Sequence, residues 1–517
     1  MGYFTSRPHL IPGQLISRSR RFVVLIAIST AVLGAILLGL WRLASTCPGS
    51  GFCSGVFKYK TAIKQVHISD TSPTSDDLRH AISPSPSSAP APQQISGMPP
   101  VPAAVPTKGP CEGFPDTSKI LLIMKTGASE SFARIPTQLL MNLRCISDFL
   151  IFGDMEQTVS GYHVQDSLDE VREEAKANNP DFDLYFRQKN CASDQETCNG
   201  NTNDNTASQA WNLDKYKNIH IAEKTWRQKP DYDWYLYVDA DTYIVWPTIV
   251  EWLQRVNQKE QWYIGSVAFL GDFPFAHGGS GYLLSQATMK SFFDGKTDVA
   301  KEWDLDARIA CCGDYLLSYA LRHKVGVRVT NVWPVVNGEK PSTMSYGSAQ
   351  WCQPIVTMHH VSSEEVTGLH EFVIERNFTS PLRFRDLYHR FIEHLLEDKR
   401  EGWDNLSEDV FYLDEKAREY SDWQLQRTKK GGLSSIEREA HLGFSQCQRA
   451  CHNDPGCFQF RLNQGICAMS KSIKHGRPRK PETKDDEWLS GWDVPKINRW
   501  VQENSNCGKI TWPSVHN

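Results

Sequence analysis

The distribution of apolar and polar positions divides the chain into four stretches. Residues 22–41, FVVLIAISTAVLGAILLGLW, form an uncharged run of the length that a helix needs to cross a bilayer. Residues 71–109 are rich in proline, serine and alanine, and they predict an extended stem because they cannot bury enough apolar surface to fold. From about Cys111 the chain alternates apolar runs with amphipathic stretches, and from about Phe444 it becomes rich in cysteine.

The third stretch predicts an α/β domain with a mainly parallel sheet, because strand patterns and helix patterns alternate along it. Short apolar runs predict strands, and spacings of three and four residues between apolar positions predict helices. The predicted strands are Lys119–Lys125, Asp148–Phe152 and Trp234–Val238. The predicted helices are Ser131–Arg144, Trp211–Gln228, Tyr315–His323, Glu364–Glu375 and Pro381–Lys399.

Charge on either side of the apolar run predicts the orientation of the chain. Arg18, Arg20 and Arg21 precede the run, whereas Arg42 alone follows it closely. The positive-inside rule then places the short N-terminus in the cytosol and the remainder in the lumen, as in a single-pass type II protein. A cleaved signal peptide is the alternative. The overall charge of −4, from 56 Lys+Arg and 60 Asp+Glu, leaves no broad basic footprint for nucleic acid.

A lumenal location changes how the 14 cysteines are interpreted, because disulfides persist there. Cys191 and Cys198 lie in a polar loop and are expected to pair. The four cysteines CQRACHNDPGCFQFRLNQGIC (447–467) predict a small disulfide-stapled module, with a zinc site as the alternative. Asn377 and Asn405 stand in Asn-x-Ser/Thr triplets and are expected to accept N-linked glycans.

Two carboxylates follow the most strongly predicted strand. Asp239 and Asp241 leave the run Trp234–Val238, and the carboxyl edge of an open α/β sheet is where ligands bind. Hard oxygen ligands suit Mn²⁺ or Mg²⁺, which commonly bridge a carboxylate to substrate phosphates. The alternative is that the Asp-x-Asp triplet is only a capped turn.

Five motifs in this order resemble a known family. They are KILLIMKTG (119–127), DYDWYLYVDADTYIV (231–245), FAHGGSGYLLS (275–285), GDYLLSYAL (313–321) and CQPIVTMHHV (352–361). Over about residues 115–365 the chain resembles glycosyltransferase family 31, the inverting β1,3-glycosyltransferases that include Fringe and the core 1 β3-galactosyltransferase. The form DADTY, in place of the more common DDDTY, is most similar to the fungal-type branch.

The resemblance implies a metal site. It makes Asp241 the direct ligand of Mn²⁺ or Mg²⁺ and places Asp239 near the ribose or the metal and its waters. It also makes His359 the late histidine that completes the metal sphere. Adjacent residues of an extended strand point to opposite faces, so only one of His359 and His360 is expected to face the cleft, and His360 remains the alternative.

The resemblance also implies donor and acceptor contacts. Lys125, Thr126 and Gly127 would lie against the uracil and ribose of a UDP-sugar. Gly278, Gly279 and Gly281 would form part of the donor–acceptor pocket, since glycine lets the backbone approach a sugar or phosphate closely. Asp314 would be the general base, although an Asp at a helix start is most often a cap. Gly313 departs from the family, in which an acidic residue commonly precedes that Asp.

Together these features predict a Rossmann-like nucleotide-diphospho-sugar transferase fold of the GT-A type. The predicted organisation is a cytosolic tail (1–21), a transmembrane anchor (22–41), a stem (42–110), a catalytic domain (111–400), a connecting segment (401–440) and a cysteine-rich module with tail (441–517). That module resembles a PAN/apple domain, which implies binding of carbohydrate or protein, and a stabilising appendage is the alternative.

The predicted function is transfer of a hexose, with galactose preferred, from a UDP-sugar to a glycan or glycoprotein acceptor. The linkage would be β1,3, formed with inversion by a Golgi membrane enzyme. A non-catalytic chaperone-like relative and a carbohydrate-binding membrane protein remain alternatives, and a homodimer remains open.

Overall fold

The computed structural model describes residues 109–191, 194–200, 206–482 and 486–515. The predicted anchor at 22–41 and most of the predicted stem lie outside these described residues. Of the helices within the described ranges, none combines the length and the apolar character that crossing a membrane requires.

Twelve strands lie between residues 109 and 400 in the described part of the chain. They are β1 Ile120–Lys125, β2 Phe149–Gly153, β3 Gln157–Val159, β4 Tyr162–Asp166, β5 Trp234–Asp239, β6 Tyr243–Ile244, β7 Tyr263–Gly265, β8 Val267–Leu270, β9 Phe273–Ala276, β10 Tyr282–Ser285, β11 Val329–Asn331 and β12 Thr357–Met358. Eight of these strands form one sheet in the order β11-β7-β10-β5-β1-β2-β4-β3. The other four form two small two-stranded sheets, β6 with β12 and β8 with β9.

Among the same described residues, twelve α-helices accompany these strands. They are α1 Ser131–Leu140, α2 Glu173–Lys176, α3 Asp183–Asn190, α4 Gln195–Gly200, α5 Thr206–Asp214, α6 Lys217–Gln228, α7 Trp246–Leu253, α8 Gln286–Phe293, α9 Asp304–Ala307, α10 Gly313–Val325, α11 Ser363–Glu375 and α12 Phe384–Phe391. Short 3₁₀ turns lie at Pro180–Phe182, Ala300–Trp303 and Glu393–Leu395.

The centre of the large sheet is buried on both faces, which explains the continuous apolar runs of β1 and β5. Along β5, Tyr235 and Tyr237 face one apolar core, whereas Leu236 and Val238 face the other. The strands β5, β1, β2 and β4 are parallel, and β10 is antiparallel to its neighbours. This mixed α/β architecture fits the predicted Rossmann-like fold.

One predicted helix is two helices in the structure. The stretch Trp211–Gln228 is interrupted between α5 and α6, where Tyr216 is buried against the ring of Phe182 at a centroid distance of 4.7 Å. The hydroxyl of Tyr216 donates to Asp181 at 2.8 Å and accepts from Asn179. Tertiary packing of this tyrosine therefore replaces the continuous helix that its apolar periodicity predicts.

A second sheet follows residue 400, in the order β13-β19-β16-β17-β15. Its strands, with the small pair β14 and β18, are β13 Arg400–Glu401, β14 Trp403–Asp404, β15 Val410–Tyr412, β16 Gln459–Asn463, β17 Ile466–Ser470, β18 Arg477–Pro478 and β19 Trp488–Trp492. Its helices are α13 Asp422–Arg427, α14 Ser435–Glu439, α15 Phe444–Asn453 and α16 Val494–Glu503, with a 3₁₀ turn at Ala440–Leu442. Residues 400–412 thus contribute strands to the same sheet as residues 459–492.

This second sheet shares an apolar core with the preceding domain. Trp351 packs on Trp500 of α16 at a centroid distance of 5.1 Å, and its indole N–H donates to the carbonyl of Asn504 at 3.0 Å. A disulfide joins Cys352 to Cys507 across 155 residues of sequence. The C-terminal segment is consequently fastened to the body of the protein by packing and by a covalent bond.

The described cysteines form six disulfides. The predicted Cys191–Cys198 pair is present, and the four cysteines of the C-terminal module pair as Cys447–Cys467 and Cys451–Cys457, which excludes the zinc alternative for them. The remaining pairs are Cys111–Cys145, Cys311–Cys312 and Cys352–Cys507.

Only one of the two predicted glycan acceptors is accessible. Asn377 is exposed. Asn405 is fully buried, and its amide donates to the carbonyls of Phe460 at 3.0 Å and Gly491 at 3.3 Å. A glycan at Asn405 would displace the strands that carry these carbonyls, so the expectation of glycosylation there is wrong for the folded chain.

Candidate functional site

The candidate site lies at the carboxyl edge of the large sheet. Lys125 ends β1, Asp239 ends β5, and the two residues are direct neighbours in the parallel register. The loop 277–281 enters β10 at the same edge, because β10 runs antiparallel to β5 and pairs Tyr282 with Tyr237. The strand ends therefore bring the predicted donor residues and the glycine loop together.

The strand pair β6 and β12 brings Asp241 and His359 together across the sequence. Met358 of β12 pairs with Tyr243 of β6. The N–H of Val361 also donates to the carbonyl of Asp241 at 3.0 Å, so the segment that follows β12 lies beside the segment that precedes β6. His359 Nε2 lies 3.1 Å from Asp241 Oδ1 and 3.9 Å from Asp239 Oδ2. The late histidine thus stands between the two carboxylates of the DAD triplet.

Both adjacent histidines face Asp241, which corrects the expectation that only one does. His360 Nδ1 lies 3.7 Å from Asp241 Oδ2, and the two imidazole centroids are 3.8 Å apart. The expectation assumed an extended backbone, but β12 ends at Met358 and His360 has a φ of 61°. This left-handed residue turns the second ring to the same side as the first.

Asp241, His359 and His360 make up a group whose ligand atoms all lie within 4.8 Å of one another. Burial alone would raise the pKa of Asp241, but hydrogen bonds from His359 and His360 hold it well below its usual value. Among the described residues, His359 Nδ1 is buried without a hydrogen-bond partner. An anionic oxygen beside two imidazole nitrogens is a donor set that a divalent cation such as Mn²⁺ fits.

Lys125 is fixed by two carboxylates of the site. Its ammonium lies 2.5 Å from Asp214 Oδ2 and 3.3 Å from Asp239 Oδ1. Burial would lower the pKa of Lys125, but the attraction of Asp214 and Asp239 raises it, so the ammonium stays charged. Burial raises the pKa of Asp239, and the attraction of Lys125 opposes this shift.

Three charged residues that the sequence analysis missed extend this group. Lys217 Nζ lies 3.6 Å from Asp214 Oδ1 and 3.6 Å from Asp154 Oδ2, and it donates to the carbonyl of Thr126 at 3.2 Å. Asp154 directly follows β2, so the rule that singled out Asp239 would also have found it. Asp214 and Lys217 flank the break between α5 and α6, which periodicity did not predict.

Thr126 and Gly127 follow Lys125 at the sheet edge and are buried. The N–H of Ala128 donates to Asp154 Oδ1 at 2.5 Å, and Thr126 Oγ1 donates to the carbonyl of Gly127 at 3.3 Å. Hydrogen bonds to Asp154 and from Lys217 therefore help to hold this turn in place.

The glycine loop contacts the metal-ligand candidates on one side and Asp314 on the other. Thr242 Oγ1 donates to the carbonyl of Gly279 at 2.7 Å, next to Asp241. The N–H of Gly278 donates to Asp314 Oδ2 at 2.8 Å. Gly281 has a φ of 85°, which an L side chain rarely adopts. The predicted glycine loop therefore contacts both the metal-ligand candidates and Asp314.

Gly279 touches the ring of His359 so closely that a Cβ atom there would lie 2.2 Å from His359 Cε1. Gly279→Ala is expected to displace the imidazole and weaken metal-dependent nucleotide binding by about 10–100-fold, as for other residues that orient metal ligands. Titration of UDP with and without Mn²⁺ measures this. The matched control is Gly431→Ala, whose Cβ would meet no atom within 4 Å. Equal binding by both variants would contradict the contact.

Asp314 lies in the first turn of α10, where it is partly buried. The N–H of Tyr315 donates to Oδ1 at 2.8 Å, and Gly278 binds the other oxygen. Burial raises the pKa of Asp314 to about 6, against the lowering effect of the Gly278 hydrogen bond and of Lys125. Asp314 is not the cap of α10, because that position belongs to Cys312.

Gly313 departs from the family pattern for a steric reason. A Cβ atom at this position would lie 2.7 Å from the carbonyl oxygen of Asp214 and 3.2 Å from Asn218. The start of α10 therefore packs directly on the junction of α5 and α6. A residue with a side chain at 313 would push Asp314 away from the loop that holds it.

Gly313→Ala is expected to destabilise the protein by about 1–3 kcal/mol, the usual cost of overpacking a closed contact. Urea unfolding of the two proteins measures the difference. Gly368→Ala is the matched control within α11, because its Cβ would make only an ordinary contact 3.7 Å from Phe391. It should stabilise the helix by about 0.5–1 kcal/mol. Similar effects at both positions would contradict the packing argument.

His277 is a further buried group at the rim of the loop. Its Nδ1 accepts from the N–H of Ser280 at 3.2 Å and lies 2.8 Å from Ser280 Oγ. Burial, with repulsion from His359 and His360, lowers the pKa of His277 to about 4. The ring is therefore neutral near pH 7, with its proton on Nε2.

Comparison with known proteins gives one family match. Residues 183–337 match a family model described as Fringe-like, and this range includes Asp239, Asp241, the glycine loop and Asp314. No curated protein matches the chain. The match covers less than a third of the sequence, and it supports a glycosyltransferase domain. The chain therefore contains a Fringe-like segment at residues 183–337, in which most of the candidate site lies.

Proposed function

We propose that this protein is a metal-dependent inverting glycosyltransferase of the GT-A type. It would move a hexose, for which we propose galactose, from a UDP-sugar to a hydroxyl of a glycan or glycoprotein, forming a β1,3 linkage. One observation carries the proposal: a carboxylate with a raised pKa, Asp314, and a group of metal-ligand candidates around Asp241 contact the same glycine loop from two sides. The Fringe-like match supports this assignment.

Asp241, His359 and His360 would hold the metal, with Asp239 beside them. A bound Mn²⁺ or Mg²⁺ would neutralise the negative charge of the UDP diphosphate. The chain adds a fixed cation of its own, because Lys125 is held charged between Asp214 and Asp239. We propose that Lys125, Thr126 and Gly127 form the nucleotide side of the site.

Asp314 would be the general base. The acceptor hydroxyl attacks the anomeric carbon and gives its proton to the Asp314 carboxylate, while the bond to UDP breaks and UDP leaves with the electron pair. The anomeric configuration inverts because attack and departure occur on opposite faces. A pKa of about 6 leaves Asp314 ionised near neutral pH and still basic enough to take the proton.

The cellular setting is part of the proposal. Six disulfides among the described residues suit an oxidising compartment, which supports a lumenal catalytic domain. We propose a Golgi membrane protein of type II anchored by residues 22–41, and a PAN/apple-like origin for the C-terminal module.

Tryptophan fluorescence of the full-length protein, titrated with UDP in the presence and absence of Mn²⁺, tests the proposal. We expect saturable binding that requires the metal, followed by hydrolysis of one UDP-sugar in a donor panel. Absence of metal-dependent UDP binding would contradict the proposal and favour a chaperone-like or carbohydrate-binding role. Hydrolysis of a donor other than UDP-galactose would correct the sugar alone.

A further inference from the structure

A basic cleft lies outside the candidate site, where the segment after α11 meets the C-terminal tail. Its walls carry three arginines, Arg376, Arg383 and Arg385, and one carboxylate, Asp386. Residues 505–508 of the tail form the opposite wall, and the cleft encloses a space of about 500 Å³. None of these residues takes part in the proposed transfer reaction.

The three guanidinium groups are held in place by main-chain carbonyls. Arg376 donates to the carbonyl of Pro381 at 3.2 Å. Arg383 and Arg385 each donate to a carbonyl within residues 505–508, and for Arg383 the distance is 3.0 Å. Each of these hydrogen bonds fixes the position of a guanidinium group without neutralising its charge, because the acceptor is an uncharged carbonyl. Such preorganisation lowers the entropic cost of binding a ligand.

Positive charge is in excess within the cleft. Asp386 is the one carboxylate that lines it, at 3.7 Å from Arg376 Nη2 and 3.6 Å from Arg385 Nε. These separations exceed those of a strong bidentate pair. Burial lowers the pKa of Arg383, and repulsion from Arg385 lowers it further.

Neighbouring carboxylates are engaged elsewhere. Glu251 accepts from Ser380 Oγ at 2.6 Å and from Arg255 at 3.0 Å. Glu375 accepts from Arg390 at 3.2 Å, and neither of these residues lines the cleft. The cleft therefore keeps a net charge of two positive units from its lining residues, three arginines against one aspartate.

We propose that this cleft binds a tetrahedral oxyanion, a sulfate or phosphate group. Three guanidinium forks can meet the three or more acceptor oxygens of such a group, whereas a carboxylate offers two oxygens in one plane. The group is either a free ion or an ester carried by a glycan, and both sources present the same chemistry to the three arginines.

Calorimetric titration of the full-length protein with sodium sulfate, against sodium chloride at equal ionic strength, tests the proposal. We expect saturable sulfate binding that Arg376→Gln weakens by about tenfold, the loss of one charge-assisted contact. The matched control is Arg390→Gln. Arg376 and Arg390 both lie over the ring of Phe372, at 5.6 Å and 5.7 Å, but Arg390 does not line the cleft. Equal weakening by both variants, or no saturable binding, overturns the proposal.

Asp386→Asn provides a test that failed folding cannot imitate. Removing the cleft's carboxylate should raise sulfate affinity by about tenfold. The amide oxygen can still accept the Arg383 N–H bond that Asp386 Oδ2 accepts at 2.9 Å. If the arginines served only to fasten residues 505–508, this variant would leave sulfate affinity unchanged, and the proposal would be wrong.

Two further titrations define the ligand. Sodium acetate should bind at least about tenfold more weakly than sulfate, and equal affinity would overturn the tetrahedral assignment.

The source of the oxyanion is tested with a glycan, by comparing chondroitin sulfate with desulfated chondroitin. Tighter binding of the sulfated polymer than of inorganic sulfate supports an ester on a glycan, and equal binding supports a free ion. Both results support the oxyanion.

Discussion

Asp314→Asn is expected to lower kcat/KM for sugar transfer by about 10³-fold, within the usual range for loss of a general base. The amide oxygen can still accept the Gly278 N–H bond, but the side chain can no longer take a proton from the acceptor hydroxyl. UDP binding should be unchanged, because Asp314 lies on the other side of the glycine loop from Asp241. Initial rates of transfer, with UDP titration on the same samples, measure both effects.

The pH dependence of the unsubstituted protein should report the same group. Burial raises the pKa of Asp314 to about 6, so the base is ionised above that value and protonated below it. We therefore expect kcat/KM to fall about tenfold per pH unit below pH about 6 and to level off above it. This acid limb should be missing from the residual activity of Asp314→Asn.

Stability gives an independent check on this variant. A carboxylate whose pKa is raised by folding destabilises the native state at pH values above about 6, since the ionised form is the one that burial penalises. Asn carries no charge but can accept only one of the two N–H bonds, so the melting temperature of Asp314→Asn relative to that of the unsubstituted protein should rise between pH about 4 and pH about 8. The matched control is Asp306→Asn, an exposed first-turn residue of α9, which should leave the rate unchanged. Full activity of Asp314→Asn would exclude it as the base.

Much of the fold could be predicted because its central strands are buried on both faces. Such strands require uninterrupted apolar runs, and the predicted bounds of β1, β2 and β5 agree with the structure within one residue at either end. The carboxyl-edge rule singled out Asp239, and in the structure this residue ends β5 beside Lys125 of β1. The strand bounds depend on the local apolar pattern, which is visible in a sequence, whereas the pairing of β1 with β5 is seen only in the structure.

Features that depend on tertiary packing could not be predicted. The break between α5 and α6 coincides with the burial of Tyr216, and beside this break Asp214 contacts both Lys125 and Lys217. The positive φ of His360 is another case, because the sequence gives no sign that β12 ends at Met358 instead of continuing through His360. Burial of Asn405 likewise follows from strands more than fifty residues away in sequence.

Asp241→Asn is expected to remove metal-dependent UDP binding and to lower kcat/KM by at least about 10³-fold, the equivalent of about 4 kcal/mol. Asp241 supplies the anionic oxygen of the group that includes His359 and His360. An Asn retains the shape but not the charge, and a divalent cation is held by charge. The two imidazoles and Asp239 would then hold the cation, and with it the UDP diphosphate, much more weakly.

The measurement is a UDP titration over a range of Mn²⁺ concentrations, with transfer rates under the same conditions. Asp233→Asn is the matched control, because it makes the same change just before the other end of β5. The control should keep the Mn²⁺ dependence of the unsubstituted protein, since Asp233 lies at the edge of the sheet opposite the candidate site. If Asp241→Asn retained Mn²⁺-dependent binding and transfer, the metal would have to be held by Asp239 and the histidines, and the assignment of Asp241 as its direct ligand would fail.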